Sequence, residues 1–301
     1  MKRILFALLA CTAVSAASAQ ELLRINPDAR STSMGSAAVG ASGNAYPTFN
    51  NPAAPLFEYQ SVQASFGYTL FSGAEFGKNR LMAVGGYVKL RERHALSLGV
   101  RLALDPRNEA LAPHRPDAKT FDFAYGYKIG EHVALAATAR YMHYNNGADN
   151  NTNAIGFDLG VMSRLPLNIC DGAAEVGIGA KLSNAGFWWG DECYELPLSL
   201  SAGTSLLLPI RDSHSLEFAL DAGYCFSPKT LRRFSAGIGV EYTLMQLFKF
   251  RCGGNFTKHL SYGSIGLGVR FFHLQFDVAY TMAGRHNPMR NAVQFCAGLD
   301  F

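Results

Sequence analysis

Charged residues are scarce in this chain, and long apolar runs are almost absent. Of its 301 residues only 17% are charged, whereas a globular domain averages roughly 25%. No apolar run of about 18 residues follows the N-terminal stretch, which excludes a helical membrane protein. A formal net charge of +4 without a basic block argues against nucleic-acid binding. With 49% hydrophobic residues the chain is not disordered, so a soluble β protein or an outer-membrane β-barrel remains.

Motifs for catalysis and metal binding are also lacking. The sequence holds no Gly-x-Ser-x-Gly, His-Glu-x-x-His or P-loop pattern. Ser97, Thr138 and Ser235, which we expect on an inner strand face, have no obvious histidine partner on that face. The asparagine-rich stretch 145–152 lacks the ligand order of an EF-hand, so we interpret it as an exposed turn. We therefore predict no enzyme, no metal site and no cofactor.

The cysteines form no disulfide framework. Five remain beyond the N-terminal stretch, an odd number at scattered spacings and without a Cys-x-x-Cys pair. Cys252 and Cys296 lie within apolar strand patterns, where we predict small buried hydrophobes. Cys170 and Cys193 flank one predicted strand, and the sequence leaves open whether they pair.

The first residues predict an exported protein. Two basic residues precede the apolar stretch 4–14, and Ala17-Ser18-Ala19 forms a small-residue cleavage site. This order is typical of a secretory signal peptide, here over residues 1–19. Leu8-Leu9-Ala10-Cys11 resembles a lipobox, so a lipoprotein is the alternative.

Apolar and polar residues alternate with a period of two through the rest of the chain, which predicts β-strands. In the last such segment one face collects Val293, Phe295, Ala297, Leu299 and Phe301. About fourteen segments of this kind occur, at roughly ten residues per spanning strand. Short and longer connections alternate along the chain, as in bacterial barrels with short periplasmic turns and longer external loops. A soluble sandwich has no reason for that regularity.

The composition of the two strand faces also favours a barrel. The polar face of a sandwich meets water, but here that face carries glycines and isolated charges of both signs. We predict that these charges face the lumen: Arg101, Asp122, Arg140, Asp158, Lys181, Glu217, Asp221, Glu241, Lys249, Arg251, Arg270, Asp277 and Asp300. Their near balance favours ion pairs that brace the wall over a permeation path, because a selective pore usually has a bias of one sign. The apolar face, with tyrosines near the strand ends, suits lipid.

Residues 20–59 show no strand pattern, and we predict that they form a small plug, or hatch, inside a barrel of residues 60–301. The alternative is a disordered tether. The segment is rich in small residues, which let backbones approach closely. Asn51 before Pro52 predicts a helix N-cap with proline at the first helical position.

Two further features are candidate contact sites. Trp188 and Trp189, which we place in a long loop over 184–195, are either a hot spot for a partner or an anchor at the lipid headgroups. Phe301, the last residue, lies on the predicted lipid face, where the barrel assembly machinery typically reads a terminal aromatic residue.

The order of these elements resembles the PorV/PorQ family of Bacteroidota, which is itself similar to FadL-type long-chain fatty acid transporters. The matching pieces of the N-terminal segment are Asp28-Ala29-Arg30, Met34-Gly35 and Asn51-Pro52-Ala53. Further matches are the strand 157–161 and the stretch 181–186 with the Leu196-Pro197 that follows it. The resemblance implies a transmembrane 14-stranded antiparallel outer-membrane β-barrel with a short N-terminal hatch.

The resemblance implies two possible functions. PorV-like and PorQ-like proteins act in the type IX secretion system, and relatives serve other envelope machines, including outer-membrane assembly. FadL-like proteins pass hydrophobic small molecules through the lumen. We expect a non-enzymatic accessory or docking subunit in the outer membrane of a Gram-negative bacterium, with a FadL-like passive transporter as the alternative. The expected partners are membrane lipid, the barrel assembly machinery during biogenesis and a larger envelope complex, but no nucleic acid.

Overall fold

The computed structural model describes residues 25–72, 79–104, 117–145, 151–169, 172–190, 195–211, 213–258, 260–285 and 287–301. The predicted signal peptide, the centre of the asparagine-rich stretch, and the Cys170 and Cys193 pair lie outside these residues.

The described residues form an antiparallel barrel in which every strand pairs with its neighbours along the chain and β1 closes the sheet on β14. The strands are β1 (Val62–Leu70), β2 (Arg80–Leu90), β3 (His94–Leu104), β4 (Asp117–Ile129), β5 (Val133–Asn145), β6 (Asn151–Ile169), β7 (Gly172–Gly190), β8 (Ser199–Arg211), β9 (His214–Cys225), β10 (Arg233–Leu244), β11 (Phe248–Thr257), β12 (Tyr262–Phe271), β13 (Leu274–Ala283) and β14 (Val293–Asp300). The prediction of a closed 14-stranded barrel is confirmed.

The tight connections all lie at one end of the barrel, the end at which β14 finishes and β1 begins. There the Phe301 carbonyl accepts hydrogen bonds from the Ser61 and Val62 amides at 2.7 and 2.9 Å. Several turn residues at this end, among them Arg91 and Phe272, have positive φ. Two-residue hairpin turns of the favoured types need such backbone angles. We call this the turn end and the opposite one the loop end.

The outer face of the barrel is apolar. Leu98 is 62% exposed and Leu267 is 59% exposed, which is costly in water over a continuous surface and is the pattern of a lipid-facing band. Cys252 also lies on this face and is exposed, so the prediction that it is buried is wrong. The reason is the two-residue period of a strand. Because Arg251 faces inward, the next residue, Cys252, faces outward. No helix among the described residues is long and apolar enough to cross a membrane.

Strands β6 and β7 are longer than expected, at 19 residues each. Trp188 and Trp189 therefore lie in β7, and the prediction of a loop there is wrong. The ladder between β6 and β7 has a β-bulge near Asp158, where Asn184 has a φ of 61°. Asparagine tolerates this left-handed conformation, so the strand bends and continues instead of ending.

Residues 25–59 precede β1 and contain two short helices, α1 (Ala29–Ser33) and η1 (Ala54–Phe57, a 3-10 helix); a second 3-10 helix, η2 (Lys229–Leu231), lies between β9 and β10. Asp28 is the N-cap of α1. Asn51 does not cap a helix that starts at Pro52, because η1 begins two residues later than that. The Asn51 side chain instead accepts a hydrogen bond from the Ala53 amide at 3.1 Å.

Candidate functional site

The described part of the N-terminal segment, residues 25–59, lies inside the barrel except at its end, where Tyr59 is 96% exposed, and we call this segment the plug. All residues of α1 are buried, and Tyr46, Thr48 and Asn51 are 0% exposed. Among the described residues, the inner face of the wall is the surface that covers these side chains. The contacts between plug and wall are therefore the central feature of this molecule.

Glycines of the wall allow the plug backbone to touch it directly. A Cβ on Gly239 would lie 2.5 Å from the Met34 carbonyl oxygen, and one on Gly237 would lie 2.6 Å from the Gly35 oxygen. Real Cβ atoms essentially never come so close. Gly35 itself has a φ of +65°, which favours glycine. The same close approach to the plug recurs at Gly160, Gly177, Gly179, Gly253 and Gly266.

Arg30 of the plug joins a buried ion cluster on strands β9 to β13. Its guanidinium lies 2.7 Å from Glu217 Oε2 and 3.0 Å from Glu241 Oε2. Arg251 of the wall binds the same Glu241 oxygen at 2.5 Å and Asp277 Oδ1 at 2.6 Å. Without Arg30, Glu217 would lose its closest cation. A buried carboxylate left without a partner is strongly unfavourable, so the plug completes the charge balance of this part of the wall.

A second ion cluster lies on strands β4 to β7 and is made by the wall alone. Arg140 binds Asp122 Oδ1 at 2.6 Å and Asp158 Oδ2 at 3.2 Å. Lys181 binds the same Asp158 oxygen at 3.1 Å. The plug contributes no charged side chain here: Lys181 Nζ donates to the Phe49 carbonyl at 2.7 Å, and the Arg140 guanidinium carbon lies 5.6 Å from the centre of the Phe49 ring.

Two further wall residues, near these clusters, bind the plug. Asp221 Oδ2 accepts hydrogen bonds from the Ala38 amide at 2.7 Å and from the Val39 amide at 2.9 Å. The Arg101 guanidinium carbon lies 3.6 Å from the centre of the Phe49 ring, which is cation–π geometry.

Asp28 connects distant parts of the plug through hydrogen bonds. Its carboxylate accepts hydrogen bonds from the Ser31 hydroxyl at 2.7 Å, the Asn50 side chain at 3.1 Å and the Ala45 amide at 3.2 Å. Burial raises the pKa of this carboxyl above its usual range, and the hydrogen bond from Ser31 opposes the rise. The plug is thus a folded unit whose distant parts meet at one carboxylate.

The other residues that the sequence singled out lie at several places. Met34 and Gly35 pack on wall glycines, and Asn51 and Pro52 approach Gly160. Most of the thirteen charges are buried, and Asp221, Lys249 and Arg270 are half-buried. Arg270 pairs with Asp300 near the turn end, away from both clusters. Phe301 is 62% exposed at that end.

The tryptophans face opposite ways. Trp188 is 7% exposed and belongs to a buried apolar cluster at the loop end of the lumen, and Trp189 is 40% exposed on the outer face. The cluster also holds Phe71, Leu81, Met142, Tyr144, Leu196 and Met289. Apolar side chains therefore fill one side of the lumen at the loop end.

Sequence reasoning missed several residues of the plug and its contacts. Tyr46 packs on Gly67 and Gly85, and Gln294 Nε2 donates to the Asn26 carbonyl at 2.9 Å. Their signal was weak, because single polar or aromatic residues in a segment without periodicity have no preferred partner. Among the described residues, no group of three or more His, Cys, Asp or Glu side chains is placed to hold a metal ion.

A polar cavity of about 270 Å³ lies on the loop-end side of the plug. Its walls are residues of β7 to β12 and Arg140 of β5, together with plug residues, and serine and asparagine side chains are frequent among them.

Comparison with known proteins agrees with the barrel architecture. Residues 12–165 match the family described as "Type IX secretion system protein PorV". No curated protein matches the sequence significantly.

Several solved structures share the architecture of this barrel. The "CymD monoaromatic hydrocarbon channel" has a TM-score of 0.61 at 12% identity, covering 91% of this chain and 96% of its own. The toluene transporter TodX of Pseudomonas putida has a TM-score of 0.58 at 11% identity, with 90% and 95% covered. A FadL homologue of Pseudomonas aeruginosa has a TM-score of 0.54 at 11% identity, with 88% and 96% covered. Likeness at this identity shows the fold alone.

Proposed function

This chain belongs to the PorV family, and from that premise we propose that it is a non-enzymatic accessory or docking subunit of an envelope protein-export machine of the type IX secretion kind. We place it in the outer membrane of a Gram-negative bacterium, and we propose Bacteroidota as the source. Its partners are a larger envelope complex, the surrounding lipid and, during biogenesis, the barrel assembly machinery that reads Phe301. Residues 1–19 act as the signal peptide, 20–59 as the hatch and 60–301 as the barrel.

The observation that carries this proposal is the filled lumen. A transport path needs a continuous or gated passage, but here Arg30 is bound to Glu217 and Glu241, and the plug backbone touches the wall at its glycines. The ion pairs also support bracing over permeation. Four buried cations bind buried carboxylates, namely Arg30, Arg140, Lys181 and Arg251. A barrel with a braced lumen offers its rim, its loops and its outer face for function.

An aromatic patch on the outer face is a candidate partner contact. The Trp189 ring centre lies 6.0 Å from that of Phe187 and 6.4 Å from that of Tyr141. Exposed tryptophan and tyrosine often supply the largest share of binding energy in protein interfaces. The alternative role for the same patch is an anchor at the lipid headgroups.

Affinity purification from native membranes in mild detergent tests the docking proposal. We expect the tagged chain to bring down a large partner, and we expect Trp189→Ala to lower its recovery several-fold. Phe234→Ala is the matched control, because Phe234 is 58% exposed on the outer face at the loop end of β10. Recovery of the barrel alone with a bound lipid-like ligand would contradict docking. Equal recovery with Trp189→Ala would assign the patch to lipid anchoring.

One observation favours the second candidate, a passive transporter of hydrophobic molecules. The β-bulge at Asn184 bends β7 beside the polar cavity, and the pairing of β7 with β8 stops at Ser183 and Ser199. A bend of this kind is where a lateral opening would form. Growth on oleate of a strain that lacks its own fatty acid transporter tests it. The docking proposal expects no growth, and growth that depends on this chain would favour transport.

A further inference from the structure

The polar cavity at the loop end has room for a small ligand. Its volume of about 270 Å³ corresponds to roughly nine water molecules at about 30 Å³ each. Tyr224 and Cys225 at the end of β9, Arg233 at the start of β10 and Thr257 at the end of β11 are among its lining residues. All of these strand ends lie at the loop end, so the cavity faces that end of the barrel.

Most of the charged groups that line this cavity are already bound to protein. Lys181 contacts Asp158 at 3.1 Å and the Phe49 carbonyl at 2.7 Å. Asp221 accepts hydrogen bonds from two plug amides through Oδ2, while its buried Oδ1 has no hydrogen-bond partner among the described residues. Arg233 is also partly bound, because its Nη1 donates to the Lys258 carbonyl at 3.2 Å while its buried Nε has no partner among the described residues. An ionic ligand would therefore meet walls whose charges are largely compensated.

Some neutral hydroxyl groups of the cavity are bound, since those of Ser36 and Tyr262 share a hydrogen bond of 2.6 Å. The side-chain hydroxyls of Ser183, Ser199 and Ser201 also line the cavity, and these three make no side-chain hydrogen bond to the described residues. Ser235 Oγ lies 3.4 Å from the Gly223 carbonyl, at the limit of a hydrogen bond. The hydrogen-bonding capacity of this wall is thus open to a ligand or to water.

Two of these hydroxyls converge above one glycine. In the sheet, Gly223 pairs with Ser201 on one side and with Ser235 on the other. A Cβ on Gly223 would lie 2.8 Å from Ser201 Oγ and 3.1 Å from Ser235 Oγ. Both oxygens therefore border the same small space, which the missing side chain of Gly223 keeps empty.

We propose that this cavity binds a neutral, hydroxyl-rich ligand, namely a saccharide unit that enters from the loop end. A serine hydroxyl both donates and accepts hydrogen bonds, as sugar hydroxyls do, so the row of serines matches a ring of hydroxyls without a net charge. A hydrocarbon would leave these groups unpaired, and sites built to form hydrogen bonds reject such molecules strongly. On the opposite, apolar side of the lumen the described side chains of Trp188, Met142 and their neighbours pack against one another.

Saccharide binding can be measured on the full chain in detergent. The detergent must carry no sugar headgroup, because a maltoside would occupy the site. Binding is measured by saturation-transfer NMR and calorimetry with the methyl glycosides of glucose, galactose and mannose. Toluene serves as an apolar probe and triglycine as a peptide probe. We expect at least one glycoside to bind with a Kd in the millimolar range or tighter. Binding of toluene or triglycine alone, or of none of the probes, overturns the proposal.

Variants locate the binding. Ser201→Ala with Ser235→Ala removes the converging hydroxyls, and we expect the glycoside to bind about tenfold more weakly, since each hydrogen bond contributes modestly. Gly223→Ala fills the space between them and should have the same effect. Ser65→Ala is the matched control, because Ser65 is a buried serine of β1 that does not line the cavity. Heat-dependent gel mobility checks that each barrel is folded. Unchanged affinity in both cavity variants overturns the assignment to this site.

Discussion

The two sides of the barrel hold the plug in different ways. On the side of β9 to β13 the plug supplies a charged side chain, Arg30, which binds Glu217 and Glu241 of the wall. On the side of β4 to β7 the wall balances its own charges, and Lys181 reaches only the plug backbone. The attachment is therefore asymmetric, and loss of the plug should depend on the first side much more than on the second.

Cys296 offers a native reporter for this comparison. Its thiol lies on the inner face of β14, it is 5% exposed, and it accepts a hydrogen bond from the Ala29 amide of the plug at 3.3 Å. Maleimide labelling of Cys296, located by peptide mass spectrometry, therefore follows the release of the plug.

The largest effect is expected from Arg30→Met. Removing one partner of a buried ion pair costs about 3–5 kcal/mol, and each ~1.4 kcal/mol is a factor of about ten. Maleimide should therefore label Cys296 at least about a hundredfold faster in this variant than in the wild type. Adding Glu217→Gln removes the carboxylate that Arg30→Met leaves without its partner. Cys296 should therefore be labelled more slowly in the double variant than in Arg30→Met. A double variant that labels as fast as Arg30→Met would exclude this electrostatic cause.

A smaller effect is expected from Gly239→Ala. Its Cβ would lie 2.5 Å from the Met34 carbonyl oxygen, and overpacking of this kind costs about 1–3 kcal/mol. Labelling of Cys296 should rise about tenfold. Gly263→Ala is the matched control, because nothing lies within 4 Å of a Cβ at that position. Equal labelling of the two alanine variants would mean that the wall glycines do not fit the plug.

Lys181→Met should loosen the plug only slightly. Asp158 keeps Arg140 at 3.2 Å, so no carboxylate is left alone, and the main loss on the plug is the hydrogen bond to Phe49. A hydrogen bond from a charged group contributes about 1.5–3 kcal/mol, but the plug keeps its bonds to Asp221 and Arg30. We expect a rise in Cys296 labelling well below that of Arg30→Met. A rise larger than that of Arg30→Met would contradict the proposed asymmetry between the two sides of the barrel.

Asp300→Asn should have the smallest effect. Asp300 pairs with Arg270 near the turn end, and the Arg270 side chain is 29% exposed. Ion pairs open to solvent contribute about 0–1 kcal/mol, and this one makes no contact with the plug. Cys296 labelling should stay within about twofold of the wild type. A larger change would show that release is not specific to plug contacts.

The strands could be predicted from the sequence because alternation with a period of two is a local pattern. The number of alternating segments, about fourteen, agrees with the fourteen observed strands. The loop predicted around Trp188 was wrong because Asn184-Ala185-Gly186 has the composition of a turn. In the structure the left-handed Asn184 forms a bulge, held by its amide, which donates to Asp158 Oδ1 at 2.7 Å.

The partners of the buried charges could not be predicted. The sequence places Arg30 in the N-terminal segment and Glu217 on a strand, but their contact joins residues far apart along the chain. The inward position of the glycines follows from alternation, whereas their fit to Met34 and Gly35 depends on how the plug folds. A segment without periodicity does not reveal that fold.

Ion conductance in planar bilayers tests the central claim, a lumen sealed by the plug, most directly. The wild-type chain and Arg30→Met are recorded side by side under one voltage and salt condition. A sealed lumen predicts no steady conductance for the wild type and long openings for Arg30→Met. A steadily open wild-type pore, or the same conductance in both proteins, would contradict it.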